Sequence, residues 1–252
     1  MRPASIIENT GVIICGENRR FLGSCFLFRY PEIVITAHHC VASFRTEELA
    51  IIFPVSRAGD RAFPVRRVHS HPSADLAVLQ IEPPPERDIT WTINEIFNEF
   101  ALGVDVISYG YPEDWFGHTA QPMQRLFKGH IQRFFEHRSH LGYRYVAAEL
   151  SFGCPPGLSG SAIINRDLHG RLYGLAAENV RITTEVKSTA EVEEDGKIIR
   201  ESFHDFINYG VAVWLPAVAD WIDSVVPPVP HSEIVRRSEN QHAWLAEEHH
   251  KP

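Results

Sequence analysis

Apolar residues in this chain come in short bursts, many β-branched or aromatic, cut by turn residues. Residues 21–28 and 32–36 form two such bursts, with Tyr30-Pro31 predicting the turn between them. Residues 50–54 and 77–81 read the same way, and Pro83-Pro84-Pro85 then breaks the pattern with a stiff segment unsuited to a helix or a central strand. Residues 91–100 predict a short helical turn. A second set of strands is expected at 104–110, 129–134, 143–150, 161–164, 172–177 and 210–215. Many short strands with regularly spaced turns predict an all-β sandwich or barrel. Residues 180–208 read as an acidic insertion, in which Asp195-Gly196 is a two-residue hairpin signal and 197–200 the return strand. Val218, Trp221, Ile222 and Val225 recur at helical spacing, so a helix is expected to stop before Pro227-Pro228. The organisation expected is a first β unit over 1–95, a second over 96–226 ending in the helix, and a disordered or loosely docked polar tail over 227–252.

Composition narrows the function classes. The 252 residues are 44% hydrophobic and 22% charged, ordinary for a globular protein. A net charge of −8 argues against nucleic acid, which requires a concentrated basic surface; Arg66-Arg67 and Arg236-Arg237 read as solvated pairs. The apolar run at 11–15 is too short for a signal peptide, and nothing approaches a membrane helix, so the expectation is a cytoplasmic protein without a membrane partner. Cys15, Cys25, Cys40 and Cys154 form no CxxC pair and no disulfide framework. The 14 histidines are scattered, and no metal or cofactor is expected.

Chemistry concentrates in three segments. Gly157-Leu158-Ser159-Gly160-Ser161 places a serine in a glycine-rich bend, Thr36-Ala37-His38-His39-Cys40 places histidines after an apolar strand, and Asp75 precedes another at Leu76-Ala77-Val78-Leu79. A serine hydroxyl needs an imidazole to take its proton, and the imidazole needs an acid to fix its tautomer. Each motif alone has a plainer meaning: Gly-x-Ser-Gly marks turns, a histidine at a strand end is usually a satisfied polar residue, and Asp75 could simply end a turn. Together, in the order His, Asp, Ser, they point to a serine peptidase. His39 and Asp75 fall in the first β unit and Ser159 in the second, which predicts a site assembled between them.

The chain resembles the trypsin/chymotrypsin-like superfamily, in a signal-less bacterial form nearer to high-temperature-requirement proteases and glutamyl endopeptidases than to digestive enzymes. Residues 35–40 are similar to the family's TAAHC, with His39 rather than His38 at the matching position. His71-Pro72-Ser73-Ala74-Asp75-Leu76-Ala77-Val78-Leu79 is similar to HPxxDLAVL, and 157–161 to GNSGG or GNSGS. Gly23-Ser24-Cys25-Phe26-Leu27, Gly110-Tyr111-Pro112 and the Trp221-Ile222 helix match more weakly. The resemblance implies two six-stranded antiparallel β-barrels followed by a C-terminal helix. It implies a His39-Asp75-Ser159 triad, with Ser159 as nucleophile and the backbone N–H groups of Gly157 and Ser159 as the oxyanion hole. The substrate pocket would be lined by Gly153, Cys154, Ala177, Glu178, Asn179 and Gly210.

Departures from the family are equally informative. Leu158 stands where digestive zymogens carry an aspartate, which excludes activation by an ion pair to a new N-terminus. Cys25 is offset by about one residue from a common family disulfide to Cys40, so free thiols are expected. Cys154 could tune activity by oxidation. Gly153 carries no charge at the pocket floor, and Asn179 replaces a frequent glycine and narrows the pocket. Both favour a small or medium apolar residue before the scissile bond, while Glu178 is expected to face solvent. The function expected is a regulated, selective serine endopeptidase acting on polypeptides, controlled by a partner or substrate that orders loops such as 180–208. The alternatives are a catalytically silent binding module on the same fold and, less favoured, an esterase.

Overall fold

The computed structural model describes residues 7–16, 18–56, 59–84, 92–98, 102–113, 123–165, 171–194, 197–230 and 232, with the backbone alone described over 184–206. Six strands close the first barrel: β1 (Thr10–Cys15), β2 (Arg20–Phe28), β3 (Tyr30–Thr36), β4 (Leu49–Phe53), β5 (Gly59–Ser70) and β6 (Ala77–Ile81), in the order β1-β2-β3-β6-β5-β4. The second closes as β10-β11-β12-β9-β8-β7 from β7 (Asp105–Gly110), β8 (Arg125–Arg138), β9 (Arg144–Leu150), β10 (Ala162–Asn165), β11 (Leu172–Glu194) and β12 (Lys197–Trp214). A 3₁₀ turn over Leu215–Val218 leads into helix α1 (Ala219–Val225). The fold is therefore the all-β, two-barrel architecture with a C-terminal helix that the strand pattern and the resemblance implied. Among the described residues no helix is long and apolar enough to cross a membrane.

One core joins the two barrels. Ile13, Phe26, Leu27 and Leu79 from the first share a cluster with Ala147, Leu175, Val211 and Val213 from the second. A smaller cluster around Tyr173 and Trp214, whose rings stack at 5.7 Å, fills the second barrel. Strand β1 is buried on both faces: Ile13 enters the shared core, while Val12 and Ile14 pack with Tyr111. Such a continuous apolar run lacks the alternation that marks a half-buried strand.

Two local expectations are corrected. The β2–β3 turn lies at Arg29, not at Tyr30-Pro31: Phe28 pairs with Tyr30, and Arg29 alone turns the chain, at φ 61. A non-glycine residue in that region is held by its surroundings. Arg29 is buried, donates to the carbonyls of Asn94 and Val226, pairs with Asp223 at 2.7 Å and lies over the Phe28 ring. It thereby fastens the C-terminal helix to the first barrel. Residues 92–98, expected as a helical turn, are extended. Ile93 bridges Phe28, Ile96 bridges Leu172, and Phe97 N–H donates to Leu172 O, so these apolar residues dock on both barrels in succession. A helical turn would gather them on one face.

Strands β11 and β12 outgrow the barrel. They span 23 and 18 residues and stay paired as far as Glu194↔Lys197, which leaves a two-residue connection. The expected insertion is thus a paired ribbon, and its Asp195-Gly196 turn lies outside the described residues, as does the tail from 233 onward.

Candidate active site

Strand β3 ends in a 3₁₀ turn, His38–Cys40, that places two adjacent histidines in different surroundings. His38 turns to Tyr143, its Nδ1 3.1 Å from the phenol oxygen, and burial lowers its imidazole. His39 turns to Asp75, which sits fully buried in the loop between β5 and β6. Both carboxylate oxygens are used: Oδ1 accepts the His39 backbone N–H at 2.9 Å, and Oδ2 lies 2.6 Å from Nδ1. This leaves the other ring nitrogen to act as base or acid. Burial opposes charge on His39, but the Asp75 hydrogen bond and the neighbouring Cys40 outweigh it and hold the imidazole above its ordinary value. The Asp75 loop is braced by His71, whose Nδ1 accepts the N–H groups of Ser73 and Ala74 and whose ring stands edge-on to Trp221 at 4.9 Å. From the second barrel, Arg144 N–H donates to Ser73 O.

Ser159 lies in the bend before β10. Gly157 adopts φ +88, and a Cβ there would strike the Tyr111 carbonyl oxygen and come within 2.6 Å of the Glu113 nitrogen, so only glycine fits. In this bend Leu158, Gly160 and Ser161 donate their N–H groups to Pro155, Ala176 and Leu158 carbonyls. Among the described residues the N–H groups of Gly157 and Ser159 have no such acceptor. Two free donors with a single residue between them can serve a developing oxyanion. Leu158 is fully buried in the second barrel's core and anchors the bend by apolar packing.

Ser24 fastens the bend to the first barrel. Its N–H donates to Ser159 O at 2.9 Å and its hydroxyl to Gly157 O at 2.7 Å, while its Oγ accepts the Tyr111 N–H. Sequence reasoning met Ser24 only inside a weak match and missed this role; Tyr143 and Arg29 carried no signal at all. An open groove of about 480 Å³ is lined by His39, Cys40 and Gly157 together with Arg20, Phe21, Phe44 and Glu113. The Ser159 hydroxyl donates to Ala177 O at 3.1 Å; among the described residues no hydrogen bond joins it to the His39 ring.

The cysteines bear on the expected disulfide. All four are free. A Cβ at Gly23 would lie 2.6 Å from Cys40 Sγ, so the position facing Cys40 is two residues from Cys25, not one. Cys154 is buried and its thiol is pushed up to about 12 by burial, which disfavours the reactive thiolate and the oxidation role considered for it.

The pocket residues are sorted by a β-bulge. Ala176 pairs with Ala212 and Glu178 with Val211, leaving Ala177 as an extra residue. The bulge reverses the alternation. Asn179, opposite Gly210, points toward Gly153 and Cys154, where its Oδ1 accepts the Cys154 N–H at 3.1 Å. A Cβ on Gly153 would come within 2.7 Å of that oxygen, and one on Gly210 within 2.8 Å of Phe152 O. Glu178 takes the opposite face, beside Val211 and Tyr145. Its side chain is 14% exposed, which corrects the expectation that it faces solvent.

Residues 23–175 match the family model described as a trypsin-like peptidase domain. Among solved structures, the Rv3671c protease of M. tuberculosis in its active form is similar at 17% identity and TM-score 0.60, over 90% of this chain and 86% of that one. The MamO protease domain of Magnetospirillum magneticum aligns at 16% identity and TM-score 0.58, over 86% and 96%. The HtrA-type protease AlgW with a tripeptide aligns at 17% and 0.59, over 89% and 62%. At these identities the structures speak for the fold. A comparison with curated proteins returned no match.

Proposed function

We propose, from the premise that the chain belongs to the trypsin-like peptidase family, that it is a serine endopeptidase working through Ser159, His39 and Asp75. The observation that carries this reading is the Asp75–His39 pair at 2.6 Å, with His39 lining the same groove as Gly157 of a serine bend that has two free N–H donors. In the proposed reaction the Ser159 hydroxyl gives its proton to His39 Nε2 as its oxygen attacks the scissile carbonyl carbon. The carbonyl oxygen becomes an oxyanion received by the N–H groups of Gly157 and Ser159. His39 returns the proton to the leaving amine, the C–N bond breaks, and an acyl-enzyme remains. Water then repeats the sequence with His39 as base, releasing the carboxylate and restoring Ser159. Asp75 holds the imidazole's tautomer and its charge.

The substrate backbone has a place to lie. Strand β11 is flanked by β10 only up to the Ser161–Ala176 contacts; beyond Ala176, among the described residues, its sole strand partner is β12. An extended peptide can add to that open edge. The first substrate N–H would take Ala177 O, displacing the Ser159 hydroxyl and returning it to the histidine. Asn179 across the Gly153–Cys154 backbone supports a small residue before the scissile bond. Selectivity and control follow in this reading from substrate-completed alignment and from a partner acting through the ribbon that continues β11.

A fluorophosphonate probe tests the chemistry: it should label the wild-type protein and not Ser159→Ala. The hydroxyl's bond to Ala177 O is the one observation favouring a catalytically silent binding module. Absence of labelling in well-folded wild type, with or without candidate peptides, would establish that second reading.

A further inference from the structure

Behind Ala177 lies a polar cluster that the proposed chemistry does not use. Glu178 Oε2 stands 3.3 Å from His137 Nε2 and 3.9 Å from His140 Nδ1. Glu178 Oε1, His137 Nε2 and the Tyr145 hydroxyl are all buried without a hydrogen-bond partner among the described residues. Among the described residues no lysine or arginine reaches the carboxylate. Buried polar atoms are normally satisfied, and a group of three orphans in one place points to a partner supplied from outside. The side chains of Glu178 and His137 are each 14% exposed and that of neighbouring His140 is 76% exposed, so the cluster is not sealed from solvent.

The fold brings this cluster to the substrate's path. Without the bulge at Ala177, alternation would turn Glu178 into the second barrel's core, where it could meet no ligand. With the bulge, Glu178 follows directly on the carbonyl that holds Ser159 Oγ and lies opposite Val211, a member of the core that joins the two barrels. Residues directly opposite in an antiparallel pair share a face. If the residue whose carbonyl is attacked lies opposite Ala177, the one just before it in the substrate lies opposite Glu178.

We infer that Glu178, with His137 and Tyr145 behind it, is a specificity site for a positively charged substrate side chain immediately preceding the residue at the scissile bond. This rests on the peptidase reading above. An arginine or lysine there supplies the donor that Oε1 lacks and neutralises the buried carboxylate. A neutral side chain leaves the carboxylate's charge uncompensated even where it offers an N–H, and an acidic one adds repulsion. Substrates are then segments with a basic residue followed by a small one.

Matched peptides carrying arginine or its neutral near-isostere citrulline at that position provide the test. Wild type should favour arginine about 10- to 100-fold in kcat/KM, the range expected of one charge-assisted hydrogen bond. The preference should shrink as salt is raised. In Glu178→Gln the ratio should fall to within about threefold of one by the same arithmetic, and in Glu178→Lys it should reverse toward a glutamate peptide. Wild type that cleaves both peptides equally overturns the proposal without help from any variant. If neither is cleaved, anisotropy of the same labelled peptides on Ser159→Ala decides. Tighter binding of the arginine peptide upholds the specificity site, and equal or absent binding overturns it. Fluorophosphonate labelling of wild type reports separately on the peptidase reading.

Discussion

Two carboxylates each lie beside a histidine, Asp75 fully buried and Glu178 partly buried. Asp75 has both oxygens engaged by His39, at 2.9 and 2.6 Å, and its side chain is 1% exposed. Glu178 has one oxygen at 3.3 Å from His137 without hydrogen-bond geometry and the other with no partner. The first pair is complete within the chain, as suits a group that must hold one tautomer through every turnover. The second is incomplete, as suits a group whose partner arrives with the ligand. Burial differs between them only in degree, at 1% and 14% side-chain exposure; the count of satisfied oxygens separates them more sharply.

The largest effect that separates the pairs is expected from Asp75→Asn. Losing the acceptor for His39 Nδ1–H should lower kcat by about 10⁴ on every substrate, measured by burst and steady-state hydrolysis. Glu178→Gln, by contrast, acts on the ratio between arginine and citrulline peptides. If it depressed all substrates as Asp75→Asn does, Glu178 would belong to the proton machinery and the contrast would break. Next in size is Gly157→Ala. With φ +88 and no room for a Cβ, it should displace one of the two free donors and cost about 10²–10³ in kcat, with KM for the same peptide moving far less.

The smallest effect is a displacement of the pH profile, and its sign follows from His39. The base must be neutral, while Asp75 and Cys40 hold the imidazole above its ordinary value against the opposing pull of burial. The ascending limb of kcat/KM should therefore lie above about 6.5, the value for free imidazole. In Asp75→Asn, where burial meets less opposition, the residual activity should rise at lower pH. A limb unmoved by that change would mean that Asp75 does not set the charge on His39.

Much of the arrangement was legible because its signals are local. The apolar, β-branched bursts at 32–36 and 77–81, and the motifs at 36–40, 71–79 and 157–161, each lie within a few neighbours, so an all-β fold and, through the resemblance, two barrels and a candidate triad could be expected from sequence. What escaped depends on distance in space. Strand β1 hides in a continuous apolar run because both its faces are covered. Strand β5 carries Pro64 and a string of charges, yet Phe63 and Val65 still alternate inward. Residues 92–98 were misjudged as a helical turn because their extended form is imposed by Phe28 and Leu172, both remote in sequence. Glu178 was placed in solvent because one extra residue at Ala177 inverts every later position, and nothing within the strand's own sequence marks a bulge. Cys25 looked nearly in register with Cys40 until the backbone showed Gly23 at that place.

Arg29 has a consequence for the molecule as a whole. The helix that follows the second barrel's last strand is held by a buried cation at the β2–β3 turn of the first barrel, and residues 92–98 bridge the two barrels as well. Pulling the barrels apart would strand a guanidinium, several carbonyls and a shared apolar core at once. Their unfolding is thereby made cooperative: the half that carries His39 and Asp75 and the half that carries Ser159 survive or fail together.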